Sequence, residues 1–375
     1  MKMLQLSKVT TVIFIISLGV SAQIQNLAIV TNGLKDPGSL SIIDINQLNI
    51  KKAVKNDIIT TGSTPNDVQV QQNLAYVVNT YSNNIQIINL LEQNSVGEIS
   101  VGSDTLPEKI AFVDPFKAYV TCNEPDQVAV LNLHTKSVTK RIQVQSKPWG
   151  ITIINKKAYV ANSAAVTNWV TFKTTYGNSS VSVIDTTTDR VIKKIKVATN
   201  ATEITTDGNS KVLVISTGDY AMIPGQLTII DANTDEIEKT VKLKTTPGAI
   251  IVNRKQQIAI INTNAGAMVY DLVQNKLVRD KNNPIVGFSG GFGMTINQEK
   301  SIYYVCIPDW TGGGLDELRV LNSKYNIVKR YQVGKGASFV AVAQIEGKNS
   351  IGVSKINDLY KTTWGTIKQS MSTNK

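Results

Sequence analysis

Seven similar segments constrain the fold of this chain more than any other feature of its sequence. In each segment, a Pro, Ala or Gly is followed three residues later by Val, Ile or Met. Consecutive segments begin 41 to 53 residues apart. The seven segments begin at Pro65, Pro107, Pro148, Ala201, Pro247, Gly291 and Ala337. Two other patterns also occur seven times: a strand such as Ala75–Asn79, and an apolar strand that ends in Asp or Asn before a polar turn. A sequence with this period is expected to assemble repeated copies of one structural unit.

Each repeat has the composition of a small β-sheet. Short segments rich in Val, Ile, Thr and Tyr alternate with turns of Gly, Asn, Asp and Pro, as in strands joined by hairpins. Four such segments within about 40–50 residues are typical of one propeller blade. No segment beyond the N-terminus has a long helical period of apolar residues. We therefore expect an all-β chain that folds as a seven-bladed β-propeller of four-stranded antiparallel blades.

The ends of the repeat array predict how the ring closes. The first unit, residues 27–60, holds three strands without an innermost one, whereas the seventh innermost strand, Ser338–Ala343, stands alone near the C-terminus. Pairing the two into one composite blade removes an open sheet edge. Ser350–Ser354 competes for the second-strand place, and we favour Leu27–Asn32. The expected propeller domain spans residues 23–344, with a peripheral segment at residues 345–375.

Five segments resemble the YVTN-type β-propeller repeat family of exported prokaryotic proteins. They are two second strands, a hairpin, a blade start and a turn: Ala118–Asn123, Ala158–Asn162, Ser182–Asp189, Lys147–Ile151 and Asp207–Lys211. The resemblance covers residues 27–343 and implies the seven-bladed fold, but it implies little about activity. Ala201 and Gly291 stand where the family prefers Pro.

Residues 1–22 have the pattern of a secretory signal peptide. Lys2 and Lys8 flank the start, an apolar run follows at Val12–Val20, and Val20–Ala22 offers small residues for cleavage. The run is shorter than the roughly 20 residues that cross a bilayer, so we favour a signal peptide over a membrane anchor. We expect a mature chain without a membrane span, exported to the periplasm, the cell surface or the extracellular space.

A propeller places the loops between blades and the loops from second to third strands on one face, which we call the loop face. Insertions near residues 163–180, 217–226 and 307–318 bring aromatic side chains to this face. The candidate ligand-binding residues are Trp149, Trp169, Phe172, Tyr176, Tyr220 and Trp310. Aromatic anchors on adaptable loops are typical of a recognition surface. In the alternative interpretation, Trp149 fills a gap between blades and the insertions only cover the ring.

Groups for metal binding or redox chemistry are scarce. His134, the only His, lies in a predicted turn, whereas metal sites need clustered His, Cys or carboxylates. Cys122 and Cys306 occupy matching places in distant blades, too far apart for a disulfide, which needs Cα atoms within about 7 Å. We expect two buried free thiols, no metal and no cofactor.

The strands that line the axial channel are expected to carry no ionisable side chains. Their apolar segments contain no acid, base or His: Val68–Gln71, Ile110–Val113, Ile151–Ile154 and Ile250–Asn253. A propeller hydrolase or lyase needs ionisable groups at the channel mouth. Such groups are expected on the loop face at Glu108, Lys109, Glu124, Asp126, Glu203, Asp219, Asp309 and Asp316. Their spacing selects no acid–base pair, so we assign no catalytic residue.

Three functions remain open. The regular repeats, bare channel and aromatic loops favour an exported, non-catalytic binding or scaffold module for a protein, polysaccharide or small ligand. An enzyme, such as a lyase or a subunit of a redox complex, is the second. The formal net charge of +11 suggests a binder of nucleic acid or another anionic polymer as the third. Against the third, the lysines are dispersed over outer strands, where a solvated edge explains them.

Overall fold

A computed structural model of the chain describes residues 24–346, except residues 169, 312 and 315. The expected signal peptide and the segment after residue 346 lie outside these residues. The propeller forms one compact unit, Gln25–Ile345. In the part of the chain that the structure describes, no helix has both the length and the apolar character needed to cross a membrane.

The chain begins with three strands that belong to the closing blade, and blades 1 to 3 follow. The first strands are β1 (Ile24–Asn32), β2 (Ser39–Asp44) and β3 (Val54–Thr60), with the short helix α1 (Ile50–Ala53) between the last two. Blade 1 contains β4 (Pro65–Gln71), β5 (Leu74–Asn79), β6 (Asn84–Asn89) and β7 (Asn94–Ser100). Blade 2 contains β8 (Pro107–Phe112), β9 (Lys117–Cys122), β10 (Gln127–Asn132) and β11 (Ser137–Gln143). Blade 3 contains β12 (Pro148–Ile154), β13 (Lys157–Asn162), β16 (Ser180–Asp185) and β17 (Arg190–Lys196).

Blades 4 to 6 repeat this order, and a last strand completes the ring. Blade 4 contains β18 (Ala201–Thr206), β19 (Lys211–Ser216), β20 (Gln226–Asp231) and β21 (Glu236–Lys242). Blade 5 contains β22 (Pro247–Asn253), β23 (Ile258–Thr263), β24 (Gly266–Asp271) and β25 (Lys276–Arg279), and a 3-10 turn at Val286–Phe288 follows it. Blade 6 contains β26 (Met294–Asn297), β27 (Ile302–Ile307), β28 (Glu317–Leu321) and β29 (Ile327–Gln332). The last strand is β30 (Ala337–Glu346).

The seven-bladed, all-β fold expected from the repeats is confirmed. Blade 7 has the strand order β3-β2-β1-β30, so the N-terminal strand supplies the second position of the closing blade. The competing segment, Ser350–Ser354, lies outside the described residues. The apolar residue of each repeat motif lies on an innermost strand, as expected: Val68, Ile110, Ile151, Ile204, Ile250, Met294 and Val340.

The hydrophobic core is a series of seven clusters, one between each pair of neighbouring blades. Strand β1 shows why the sequence produces this arrangement. Leu27 and Ile29 pack towards blade 1, whereas Ala28 and Val30 pack towards blade 6. Side chains alternate between the faces of a strand, so a continuously apolar strand packs against both neighbours. Each blade therefore depends on the blades on either side of it.

Hairpins between third and fourth strands begin on Asp or Asn, as the repeats predict. The Asp185 carboxylate accepts hydrogen bonds from the backbone N–H groups of Thr187 and Thr188, both at 2.8 Å. Asn132 makes the same turn, accepting from His134 at 3.0 Å. An Asx side chain that satisfies its own turn fixes the hairpin. His134 is therefore a turn residue on the face opposite the loop face.

Lysines of second and fourth strands join neighbouring blades. The Lys117 ammonium lies 2.6 Å from the Asp189 carboxylate in the next blade, and the hydroxyl of Tyr119 donates to the same carboxylate. Lys157, Tyr159 and Asp235 repeat this arrangement between blades 3 and 4. The fourth-strand lysines act similarly towards the next blade's hairpin: Lys140 to Thr188, Lys193 to Thr234 and Lys239 to Asn275. Hydrogen bonds between blades thus use Lys193 and Lys239, for which the sequence suggested only a solvated edge.

Candidate binding site at the axial channel

The expectation that no ionisable side chain lines the axial channel is wrong. In blades 1 to 5 the innermost strands begin three residues earlier than the apolar pattern indicates, and their pairing has a bulge or irregularity near the start. A bulge interrupts the strict alternation of side chains. Asp67, Lys109 and Glu203, which precede the apolar segments, consequently line the channel.

One equivalent residue from every blade lines the channel near its loop-face mouth. This position is two residues after the start of each repeat motif, and we call the seven residues the axial ring. They are Asp67, Lys109, Gly150, Glu203, Ala249, Gly293 and Phe339. Three members carry ionisable groups, one is aromatic, and three have little or no side chain. The charged side chains therefore lie beside open space.

Lys109 is held in place from three directions. Its ammonium lies 3.4 Å from the centre of the Phe339 ring, a cation–π contact. It also donates a hydrogen bond to the Asn66 carbonyl at 3.2 Å and lies 4.0 Å from the Asp67 carboxylate. Blades 1, 2 and 7 thus meet at one buried cation.

Two buried carboxylates lie close to this lysine. Asp67 accepts hydrogen bonds from the backbone N–H of Ile110 at 3.1 Å and from the Gln69 amide at 3.3 Å. Burial raises the pKa of Asp67, although the Lys109 charge and these hydrogen bonds oppose the shift. Burial also raises the pKa of Glu108 to about 7, against the opposing hydrogen bond from Asn66 at 2.7 Å. Glu108 lies beside the cavity without lining it.

Glu203 differs from these acids because it has no hydrogen-bond partner among the described residues. Burial raises the pKa of Glu203, the positive charge of Lys109 lowers it, and the negative charge of Asp67 raises it further. Its neighbours in the axial ring are Gly150 and Ala249, which have no functional groups. A carboxylate placed at a cavity without a protein donor is available to a ligand.

The axial ring surrounds a cavity of about 300 Å³ to which all seven blades contribute. Glycine is required at two ring positions by the close approach of neighbouring strands. A Cβ on Gly150 would lie 2.6 Å from the Thr202 carbonyl, and one on Gly293 would lie 2.2 Å from the Ser338 carbonyl. Packing thus forbids side chains at these positions and keeps the cavity open. Its volume falls at the lower end of the range for small-molecule sites.

A row of aromatic rings connects the cavity with the loop face. The Phe339 ring contacts Phe292 edge to face at 5.4 Å between centroids, and Phe292 contacts Trp310 in the same way at 5.5 Å. Phe339 lines the cavity, whereas Phe292 is 43% exposed and Trp310 is 57% exposed. We call these three residues the aromatic row. It gives the charged cavity an apolar entrance.

The other sequence-predicted aromatics lie away from this row. Phe172 is exposed between β14 (Ala165–Asn168) and β15 (Lys173–Tyr176), a two-stranded hairpin inserted into blade 3. Tyr176 is half-buried, and its pKa is raised mainly by burial and further by Tyr220 and Asp219. The two insertions therefore approach each other. Tyr220 is exposed, and Trp169 lies outside the described residues.

Trp149 is half-buried at the start of β12. Its backbone carbonyl accepts a hydrogen bond from the Thr121 hydroxyl at 2.6 Å, a contact between blades 2 and 3. Of the five candidate aromatics within the described residues, only Trp310 joins the row that reaches the cavity. The binding roles assigned to all six stay predictions.

Other carboxylates on the loop face have local structural partners. Asp219 accepts hydrogen bonds from the backbone N–H groups of Ala221, Met222 and Ile223, and the last of these is the largest cause of its lowered pKa. Asp316 accepts from the backbone of two residues that precede or begin β30. Within the described ranges, no three His, Cys, Asp or Glu side chains are grouped so that they could hold a metal ion.

The repeat pattern contains a signal that identifies the axial ring. When the seven repeat motifs are aligned, the residues two positions after each motif start form one column. This column reads Asp, Lys, Gly, Glu, Ala, Gly and Phe. Three ionisable residues in one column of a repeat that otherwise forms apolar strands mark the channel. The apolar pattern alone predicted a later start for the innermost strands, so Lys109 and Glu203 were expected in loops and Asp67 was not singled out.

Comparison with known proteins supports the fold and provides no family assignment. No protein-family model matches the chain, and no curated protein matches it. A functionally unknown protein from Desulfotomaculum acetoxidans is similar in structure, with a TM-score of 0.62 at 15% identity, covering 86% of this chain and 100% of that one. A chain of hydrazine synthase from Kuenenia stuttgartiensis has a TM-score of 0.60 at 16% identity, covering 76% of this chain and 96% of that one.

A third similar structure is that of apo AztD from Citrobacter koseri. It has a TM-score of 0.53 at 11% identity, and the match covers 87% of this chain and 100% of that chain. Identities this low carry the fold without the function. The comparisons and the blade topology together show that this chain is a seven-bladed β-propeller.

Proposed function

We propose that this chain is an exported, non-catalytic binding module that takes a small molecule into the axial cavity through the loop face. The observation that carries this proposal is the axial ring, in which Glu203 has no hydrogen-bond partner in the described part of the chain and lies beside open space. Export is part of the proposal and rests on the signal-peptide pattern of residues 1–22. The fold supports such a role, because ring-shaped repeats concentrate loops at the ends of a central channel.

Binding is favoured over catalysis by the positions of the ionisable groups. Glu108 has a pKa of about 7, which suits proton transfer, but it does not line the cavity. Lys109 is already engaged by Phe339, Asn66 and Asp67. Neither group is free to exchange protons with a bound molecule. Glu203, in contrast, is placed to hold such a molecule.

The positive net charge does not by itself favour nucleic acid as the ligand. Lysines in several blades donate to carbonyls or carboxylates of the neighbouring blade, so they have a structural use. The channel mouth itself contains Asp67 and Glu203 against one lysine, which opposes the approach of phosphate groups.

A fragment library of amines, carboxylates, amides and sugars, observed by saturation-transfer NMR, tests this proposal. We expect hits with the wild type that are lost in Ala249→Phe, which fills the cavity, and weakened in Trp310→Ala, which shortens the aromatic row. Phe116→Ala is the matched control, because Phe116 is an exposed aromatic on the opposite face. Truncating an aromatic anchor typically weakens binding at least tenfold, whereas a peripheral residue contributes little.

The outcomes separate the cavity from the rest of the loop face. Absence of hits in every class contradicts the proposed function. Hits that persist in Ala249→Phe and disappear in Phe172→Ala place binding on the inserted hairpin instead. Melting temperatures of all variants, measured beside the spectra, identify any loss caused by unfolding.

A further inference from the structure

We propose that the axial cavity selects an organic ammonium ion, such as a primary amine in its protonated form, with Glu203 as the residue that pairs with the ammonium group. This inference rests on the proposed function and adds the charge of the ligand to it. Two carboxylates line the cavity, Asp67 and Glu203, and Lys109 is its only lysine or arginine among the described residues. A ligand with one positive charge balances this set.

The distribution of partners assigns the ligand to Glu203 rather than to Asp67. Asp67 already lies 4.0 Å from the Lys109 ammonium and accepts two hydrogen bonds. Glu203 has no such bonds in the described part of the chain, and burial raises the free energy of its charged form. Carboxylates in such surroundings are stabilised by a paired, hydrogen-bonding cation. An ammonium ion supplies both the charge and the donors.

Other ligand charges fit the cavity less well. An anion would face Asp67 and Glu203, and the one cation present already has three partners. A divalent metal ion requires several oxygen, nitrogen or sulfur ligands, and no such group of side chains occurs in the described residues. A neutral ligand would leave the Glu203 charge unpaired.

Space and apolar surface determine the rest of the ligand. Gly150 and Ala249 flank Glu203 in the axial ring, so room for the ligand lies next to the carboxylate. The aromatic row leads from this cavity to the loop face. Aromatic rings accept both apolar groups and the faces of cations. We therefore expect an amine that carries a short hydrocarbon or aromatic body.

Three probes with the same phenylethyl body and different charge test the inference: 2-phenylethylammonium, 2-phenylethanol and 3-phenylpropionate. Isothermal titration calorimetry with the wild-type chain at pH 8 should show that the ammonium binds at least tenfold more tightly than the other two. Glu203→Gln should weaken binding of the ammonium at least tenfold and change the affinity for the alcohol less than threefold. Glu203→Asp, which keeps the charge, should lose less affinity for the ammonium than Glu203→Gln does. Glu236→Gln, at an exposed carboxylate of an outer strand, is the control for net charge.

Equal affinity for the ammonium and the alcohol in the wild type overturns the inference without reference to any variant. Tightest binding of 3-phenylpropionate also overturns it. If either result is accompanied by loss of binding in Ala249→Phe, the proposed small-molecule function stands and only the charge assignment fails. If Glu203→Gln folds and binds the ammonium as the wild type does, Glu203 is not the pairing residue and the inference fails.

Discussion

At the scale of single residues, the axial channel and its immediate surroundings contain groups whose burial opposes folding. Asp67, Glu108 and Glu203 all have raised pKa values, with burial as the largest cause. Each raised value means that the protein environment disfavours the charged carboxylate relative to water. An apolar residue at any of these places would avoid this cost. Retaining a cluster of such groups at the mouth of a cavity is typical of functional sites.

Glu108 permits a test of this cost. Its pKa rises from 4.5 in the unfolded chain to about 7 in the folded protein. Below pH 4.5 the group is protonated in both states and has no effect on the pH dependence. Between these values the folded state retains a proton that the unfolded state releases, so stability falls as the pH rises to about 7. The Glu108→Gln variant, which keeps an acceptor for Asn66, should therefore gain up to roughly 3 kcal/mol relative to wild type between pH 4.5 and pH 8.

Urea denaturation at a series of pH values measures this difference. Glu236→Gln, which removes an exposed carboxylate, should show no comparable trend. A constant difference between Glu108→Gln and wild type across this range would contradict the assignment of the raised pKa to Glu108.

At the scale of strands and hairpins, contacts between blades depend on buried tyrosines. The hydroxyl of Tyr159 donates to Asp235, which lies in the hairpin of the next blade and also binds Lys157 at 2.7 Å. Removing a hydrogen bond to a charged group costs about 1.5–3 kcal/mol. Tyr159→Phe and Tyr119→Phe should each lower the free energy of unfolding by this amount. Tyr81→Phe, at an exposed position, is the control, and a change below about 0.5 kcal/mol in both buried variants would rule out these contacts as stabilising.

The same scale shows what could and could not be predicted from the sequence. Repeated apolar strands and Asx turns predicted the blades and the closing blade, because alternation and turn chemistry are local properties. The axial ring was missed because a bulge or irregularity after Pro65 displaces Asp67 from the alternation that begins at Val68. Contacts such as Lys117 to Asp189 join residues far apart in the chain, and no local pattern marks them. The contact between Phe292 and Trp310 likewise depends on how a long loop folds.

At the scale of the whole molecule, the ring has no blade that is independent of its neighbours. Seven apolar clusters lie between consecutive blades, and the N- and C-terminal strands share blade 7. Cys122 packs between blades 1 and 2, and Cys306 packs between blades 6 and 7. Both thiols are free and buried, and burial raises the pKa of Cys122 to about 12 and that of Cys306 further. Neither is expected to react until its blade interface opens.

The two thiols therefore report whether the ring unfolds as one unit. Ile29 is fully buried between blades 7 and 1, at neither cysteine's interface. Ile29→Ala should cost about 2–5 kcal/mol, and it should lower the urea concentration at which both thiols become reactive by the same amount. Mass spectrometry of thiol-labelled peptides distinguishes Cys122 from Cys306, and Val166→Ala on the exposed inserted hairpin is the control. We expect a ring held by consecutive interfaces to lose all of them together when one is weakened. Separate labelling midpoints for the two cysteines would contradict this and show that the blades open independently.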